Sequence, residues 1–154
     1  MPEPIMTLQE KMDKALLGKL TDREIEWLKK LFEVDFPGKD ILVEQASQAI
    51  VSRKIDEWHY NLMFDYEDYS GPKFLLKAGS PVDMQFLRKS RSPLMFDLLV
   101  WDWKIDQLLI QSADPSDKMQ LDDLVLKDPI YHIDSDLESN LNGSSSICEQ
   151  ERDR

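Results

Sequence analysis

The stretch "LMFDLLVWDWKIDQLLI", Leu94 to Ile110, decides the fold of this chain. In its first half, Leu94, Phe96, Leu98 and Val100 alternate with Met95, Asp97, Leu99 and Trp101. The half from Lys104 to Ile110 also alternates, and only Asp102 and Trp103 separate the two. Two alternating runs joined by two residues predict a β-hairpin, in which Trp101 packs on the face of Leu99 and Trp103 lies at the turn. Both faces carry apolar residues, which is typical of a sheet covered on both sides or facing a partner.

The chain before the hairpin changes from helical to strand-like patterns. Apolar residues between Ile5 and Leu16 recur at helical spacing, and Thr21 to Glu24 match a capping box that opens a second helix. Asp40 is a candidate N-cap for a third helix. Strand patterns follow over 49–55, 58–66 and 82–87, and the apolar piece 121–126 predicts a last strand or a docked segment.

This order predicts an α+β fold in which N-terminal helices pack on one face of an antiparallel β-meander. We expect residues 1–133 to form a single domain. Residues 134–154 are polar, Ser-rich and charged, so we expect a disordered acidic C-terminal tail.

Charge narrows the range of partners. The 154 residues carry a formal net charge of −11. Residues 111–154 contribute most of it, with 4 basic against 11 acidic residues, while residues 1–110 have 15 against 19. This imbalance argues against nucleic acid and anionic membranes as partners and favours a basic protein. The sequence shows neither a signal-peptide layout nor an apolar run of about 20 residues, so we expect a cytoplasmic protein.

No recognised pattern of catalytic or ligand-binding residues is present. The single cysteine, Cys148, cannot form an internal disulfide, and the histidines His59 and His132 are far apart in sequence. No G-x-S-x-G or Gly-rich phosphate loop occurs. The basic run from Arg88 to Arg91 is typical of a charged turn. We therefore expect a non-enzymatic protein without catalytic residues, cofactor or metal.

The stretch "FDYEDY" supplies the candidate partner-binding site. Tyr66 and Tyr69 stand beside Glu67 and Asp68, directly after a predicted strand. Aromatic side chains are enriched in protein interfaces, and carboxylates steer cationic partners. We therefore predict a partner-binding site with these members, together with a second acidic pair: Tyr66, Glu67, Asp68, Tyr69, Asp122 and Asp123.

The stretches "LTDREIEWLKKLFE", "PGKDILVEQ" and "FDLLVWDWKIDQLLIQSAD" together resemble small uncharacterised bacterial proteins of a domain-of-unknown-function family. The resemblance covers about residues 20–114. In that family an "LT..E...L" opening precedes a hairpin with glycine where this chain has Asp102 and Trp103. The family supplies no catalytic residues. Small acidic α+β proteins of this type are similar to immunity proteins, which neutralise bacterial toxins.

Three functions remain open on this reading of the sequence. The first is an immunity-type inhibitor that occludes the cationic cleft of a basic toxin or effector. The second is a small ligand-binding domain or enzyme with an unrecognised pocket. The third is a homodimeric scaffold protein that uses the second face of the hairpin.

Overall fold

The computed structural model describes residues 10, 19–89, 91–121, 124 and 126–137. Within these ranges it has two helices, α1 (Asp22–Leu31) and α2 (Lys39–Gln48), and one antiparallel sheet. The strands are β1 (Ile50–Ile55), β2 (His59–Asp65), β3 (Ala78–Arg88), β4 (Arg91–Trp101), β5 (Lys104–Ser112) and β6 (Ile130–Ile133). The predicted α+β class is confirmed. Apart from Glu10, the helix predicted over residues 5–16 lies outside the described residues.

The strand order is β1-β2-β5-β4-β3-β6, with every neighbouring pair antiparallel. This order differs from a simple meander, because β2 pairs with β5 rather than with β3. The connection over residues 66–77 is long enough to carry the chain past two strands. Among the described residues, the last strand lies at 130–133. Within 121–126 the structure describes Leu121, Leu124 and Leu126, which are not in a strand and are partly buried against the core, as a docked segment would be.

The hairpin of β4 and β5 has its turn at Asp102 and Trp103 as predicted, but both strands are longer at their outer ends than the prediction, and the pairing contains an irregularity. A register shift follows Leu99, so Ile105 and Leu108, three residues apart, are both fully buried. Such a β-bulge adds one residue to a strand and shifts its alternation. The regular alternation predicted for Lys104 to Ile110 would place Ile105 and Leu108 on opposite faces, so that prediction is wrong at this point.

The two-residue turn of this hairpin has a backbone that glycine or asparagine would normally adopt. Asp102 has φ 52° and Trp103 has φ 67°, as a tight hairpin turn with the right-handed strand twist requires. The buried Gln45 of α2 holds this turn: its Nε2 donates to Trp103 O at 2.9 Å, and its Oε1 accepts from Ile105 N at 2.9 Å. These bonds stabilise a conformation that costs roughly 1–2 kcal/mol per residue without glycine.

The predicted capping box at the start of α1 is confirmed. Thr21 N donates to Glu24 Oε1 at 2.8 Å, and Glu24 N donates to Thr21 Oγ1 at 3.3 Å. The carboxylate of Glu24 is fully buried and also accepts from Tyr60 Oη and from Arg53 Nε and Nη2, both at 2.6 Å. Burial alone would raise the pKa of Glu24, but these hydrogen bonds lower it below its usual value.

The helix α2, the third helix of the sequence prediction, begins at a different residue from the one predicted. Gly38, with φ 82°, is the N-cap of α2, and Asp40 lies inside its first turn. A side chain at Gly38 would also collide with Phe74, since an added Cβ would lie 2.6 Å from its ring. At the other end of the described chain, Asp134 N donates to Pro81 O at 3.0 Å and Leu137 is buried. Residues 138–154 of the predicted tail lie outside the description.

Candidate functional site

The predicted partner-binding residues at the end of β2 divide into two kinds. Glu67 and Asp68 are exposed, as a docking site requires. The tyrosines support the loop instead: Tyr66 Oη donates to Ile105 O at 2.7 Å, and Tyr69 Oη donates to Pro72 O at 2.5 Å. Their rings contact each other edge to face at 5.5 Å.

Burial raises the pKa of Tyr66, with smaller contributions from Tyr69 and from the carboxylates of Asp106 and Asp65. Burial also raises the pKa of Tyr69. Both phenols therefore stay protonated at neutral pH, and both hydroxyls already donate to backbone carbonyls. Asp122 and Asp123, the second acidic pair of the prediction, lie outside the described residues.

A larger surface is formed by the face of the sheet that points away from the buried core. Strand pairing aligns its side chains in three rows: Lys54–Asn61–Leu109–Asp97–Asp83–His132, Ser52–Met63–Gln107–Leu99, and His59–Gln111–Met95–Gln85–Ile130. We call these rows, with Trp101, Asp65 and Asp106, the open face. The opposite side of the same strands carries Tyr60, Leu62, Val82, Met84, Phe96 and Leu98, all 0–2% exposed.

The open face combines polar side chains with several apolar ones. Trp101 follows Leu99 on the same side of β4 and is 64% exposed, and Ile130 is 43% exposed. Four further apolar side chains of this face are half-buried: Met63, Met95, Leu99 and Leu109. Apolar side chains grouped on one exposed face mark interaction sites in soluble proteins. The prediction that Trp101 shares the face of Leu99 is confirmed, but Trp101 does not pack there.

Two pairs of carboxylates lie beside these apolar side chains on the open face. Asp97 on β4 is directly opposite Asp83 on β3, and burial, followed by the charge of Asp83, raises the pKa of Asp97. Burial, followed by the charge of Asp65, likewise raises the pKa of Asp106. His132 Nδ1 lies 3.0 Å from Asp83 Oδ1. Like charges opposite each other in a sheet repel, so this face carries negative charge at a cost to folding.

Sequence reasoning missed these residues as a site. Asp97 and Trp101 stand on one face of the predicted hairpin, which the alternation identified. Asp83 and His132 join them only through the pairing of β3 with β4 and β6. β3 and β4 are consecutive strands, but the sequence analysis predicted no register between them, and a one-residue slip would move Asp83 to the other face. β6 lies far along the chain from β3, and no local pattern indicates that pairing.

The other candidates from the sequence have structural explanations. Arg88 donates from Nε to Ser92 O at 2.9 Å and from Nη1 to Met119 O at 2.5 Å, so this part of the basic run joins two segments. The His59 side chain is half exposed, with Nδ1 3.8 Å from Asp56 Oδ1. Among the described residues, no three His, Cys, Asp or Glu side chains converge as metal ligands would. No helix in the same part of the chain is long and apolar enough to cross a membrane.

Comparison with known proteins gives no family for this fold and surface. No protein-family model matches the chain. Searches of curated proteins and of solved structures likewise returned no match. What the chain does must therefore be inferred from its own residues.

Proposed function

We propose that this chain is a non-enzymatic protein-binding module whose open face binds a basic protein. The observation that carries the proposal is the exposed Trp101 on a sheet face that also holds the carboxylates of Asp97 and Asp106. Tryptophan is a frequent anchor of protein interfaces. Acidic groups around such an anchor attract a cationic partner and accelerate its association.

We further propose that both helices cover the buried face, which leaves the open face as the binding side of the sheet. Contacts from each helix support this arrangement. The Trp27 ring of α1 lies 5.0 Å from the Tyr60 ring and 5.6 Å from the Phe96 ring, both on the buried face. The α2 side chain of Gln45 reaches the backbone of β5 at Ile105.

Charge distinguishes a basic partner from the alternatives. Two copies of the open face would bring Asp83, Asp97, Asp65 and Asp106 against the same residues of the partner copy, so a symmetric dimer through this face is disfavoured at neutral pH. The chain's own terminal segments also lack surplus positive charge: residues 1–18 have two lysines against three acidic residues, and 138–154 have two arginines against four.

A narrower proposal is that the module acts in the cytoplasm as an immunity-type inhibitor. The resemblance to small acidic bacterial proteins of that type supports it, as does the acidic composition. Inhibition would work by occlusion: the open face covers a cationic cleft, and Glu67 and Asp68 extend the negative charge beyond the end of β2. Salt would slow the association, because screening weakens electrostatic steering.

A peptide selection tests both where and what the chain binds, and it needs no identified partner. A random peptide library displayed on phage is selected against the full chain. The recovered peptides are then assayed against two variants, Asp97→Asn with Trp101→Ala on the open face, and Glu67→Gln with Asp68→Asn at the strand end. Each double variant changes two side chains, which makes the pair a matched comparison.

The proposal predicts peptides rich in arginine or lysine together with apolar residues. Their binding should be lost in the open-face variant and kept in the strand-end variant. Recovered peptides without cationic enrichment, or undiminished binding to the open-face variant, contradict the proposal. Loss in the strand-end variant alone would assign the site to Glu67 and Asp68 instead.

A further inference from the structure

A cavity of about 280 Å³ lies on the other side of the sheet from the open face. Its walls come from the first turn of α1, the end of β1 and the segment after β5, and its lining residues are Arg23, Ile55, Glu57, Lys118, Met119, Gln120 and Leu121. Ile55 pairs with Tyr60, whose side chain is on the buried face, so the cavity opens at the helix side of the sheet. The cavity therefore shares no lining residue with the open face.

Among the residues that the structure describes, the lining combines an apolar wall with one more cation than anion. Ile55 is 52% exposed, Met119 is buried and Leu121 is half-buried. Lys118 Nζ lies 3.0 Å from Glu57 Oε2, so these two charges offset each other. Arg23 adds a further positive charge to the lining. The chain as a whole has a net charge of −11, so a positively charged lining differs from the rest of the protein.

The Arg23 guanidinium is held in place by aromatic rings. Its central carbon lies 5.3 Å from the ring centroids of both Trp27 and Tyr60. The Arg23 side chain also hydrogen-bonds Tyr60. These contacts position the guanidinium, whose five N–H donors exceed what one such bond uses and suit a planar anion such as a carboxylate.

The opposite wall is fixed before any ligand arrives. Met119 N donates to Glu57 O at 2.9 Å, and Met119 O accepts from Arg88 Nη1 at 2.5 Å. The next residue, Gln120, has φ 43°, a left-handed conformation that a non-glycine residue rarely adopts. Residues held in such conformations concentrate at ligand sites, and small-molecule pockets are usually preformed, apolar and equipped with a few polar groups.

We propose that this cavity binds a small amphipathic carboxylate, a molecule with one anionic group and a short hydrocarbon or aromatic body. The carboxylate pairs with Arg23, and the apolar body lies against Ile55, Met119 and Leu121. The volume is near the lower end for ligand sites, which favours a compact molecule.

Sodium octanoate and octylammonium chloride are the two probes that test this site, because they share a tail and differ in the sign of their charge. The full chain is titrated with each and followed by the NMR methyl signals of Ile55, Met119 and Leu121. Octanoate should shift these signals and reach saturation, whereas octylammonium should not. A response that never saturates, or an equal response to both probes, overturns the proposal.

Variants test which groups hold the probe. Arg23→Gln should weaken octanoate binding about threefold to tenfold, as expected for loss of one partly solvated charged contact. Ile55→Thr keeps the β-branched shape but removes apolar surface, and it should weaken binding without unfolding the chain. Lys77→Gln, an exposed cation away from the cavity, is the matched control and should bind like the wild type. Unchanged affinity in both Arg23→Gln and Ile55→Thr overturns the assignment.

Discussion

Replacing Asp97 by asparagine should make the fold more stable while it weakens partner binding. Asparagine keeps the shape of the side chain and removes its charge. Asp97 is half-buried and directly opposite Asp83, and both its burial and the Asp83 charge raise its pKa. Among the described residues no hydrogen bond to the Asp97 side chain is found, so the substitution removes repulsion without breaking a bond. When replacement of a residue raises the stability of the fold but weakens binding, the residue serves function at the expense of stability.

The expected gain is modest. Like charges directly opposite in a sheet destabilise it by about 0.2–1 kcal/mol, and solvent screening of this half-buried pair places the effect near 0.5 kcal/mol. A change of that size raises the urea midpoint by roughly 0.2–0.5 M and the melting temperature by about 1–3 °C. Tryptophan fluorescence during urea unfolding at low salt measures it, and Asp68→Asn, at an exposed acidic residue, is the control.

The pH dependence follows from the direction of the shift. A carboxyl whose pKa is raised in the folded state lowers stability where it is ionised, and that penalty disappears as pH falls through the raised pKa towards the usual value of 3.8. The advantage of Asp97→Asn over the wild type should therefore be largest at neutral pH and vanish by about pH 4. A variant that is less stable than the wild type at neutral pH and low salt, or an advantage independent of pH, would refute the reasoning.

Three further substitutions give distinct outcomes in unfolding and binding assays. Glu24→Gln leaves the partly buried Arg53 without its carboxylate and should lower the free energy of unfolding by about 2–3 kcal/mol. Because the folded-state pKa of Glu24 is lowered, the stability that its carboxylate contributes is complete above its usual pKa and is lost as pH falls through the lowered value. A stability difference between Glu24→Gln and the wild type that persists below that pH would contradict this explanation. Gln45→Leu leaves Ile105 N without its acceptor and removes one of the two donors to Trp103 O, which keeps its bond from Phe74 N. It should lower the free energy of unfolding by about 1–3 kcal/mol in urea unfolding, and an unchanged value would show that the turn does not depend on Gln45. Trp101→Ala should change stability by less than about 0.5 kcal/mol, since the side chain is largely exposed, yet abolish binding of selected peptides; a large loss of stability would show that Trp101 packs in the fold.

The sequence predicted local structure well where a short-range signal exists. The capping box of Thr21 and Glu24 and the hairpin turn at Asp102 and Trp103 depend on residues a few positions apart, and the structure confirms both. The same Glu24 also binds Arg53 and Tyr60, 29 and 36 residues away. Nothing in a capping pattern indicates that second set of contacts, because the pattern covers only the first turn of α1 and the partners lie on β1 and β2.

Long-range pairing explains what the sequence could not predict. The chain from β2 to β3 crosses two strand positions, and no local pattern sets that distance. The bulge after Leu99 shifts the alternation of β5, although the residues read as a regular strand. The acidic residues of the open face come from four strands, so their grouping follows from the strand order rather than from spacing in sequence. Glu67 and Asp68 were identifiable because they are neighbours in the chain.

The central claim is that the open face is the binding surface for a basic partner, and an NMR titration tests it most directly. The full chain is titrated with a short peptide in which arginine alternates with leucine, and the methyl signals of Met63, Met95 and Leu99 and the indole signal of Trp101 are followed. We expect saturable shifts concentrated at these four residues, and these shifts should be smaller in Asp97→Asn and in added salt. Shifts scattered over the surface, or concentrated near Glu67 and Asp68 with the open face unchanged, would contradict it.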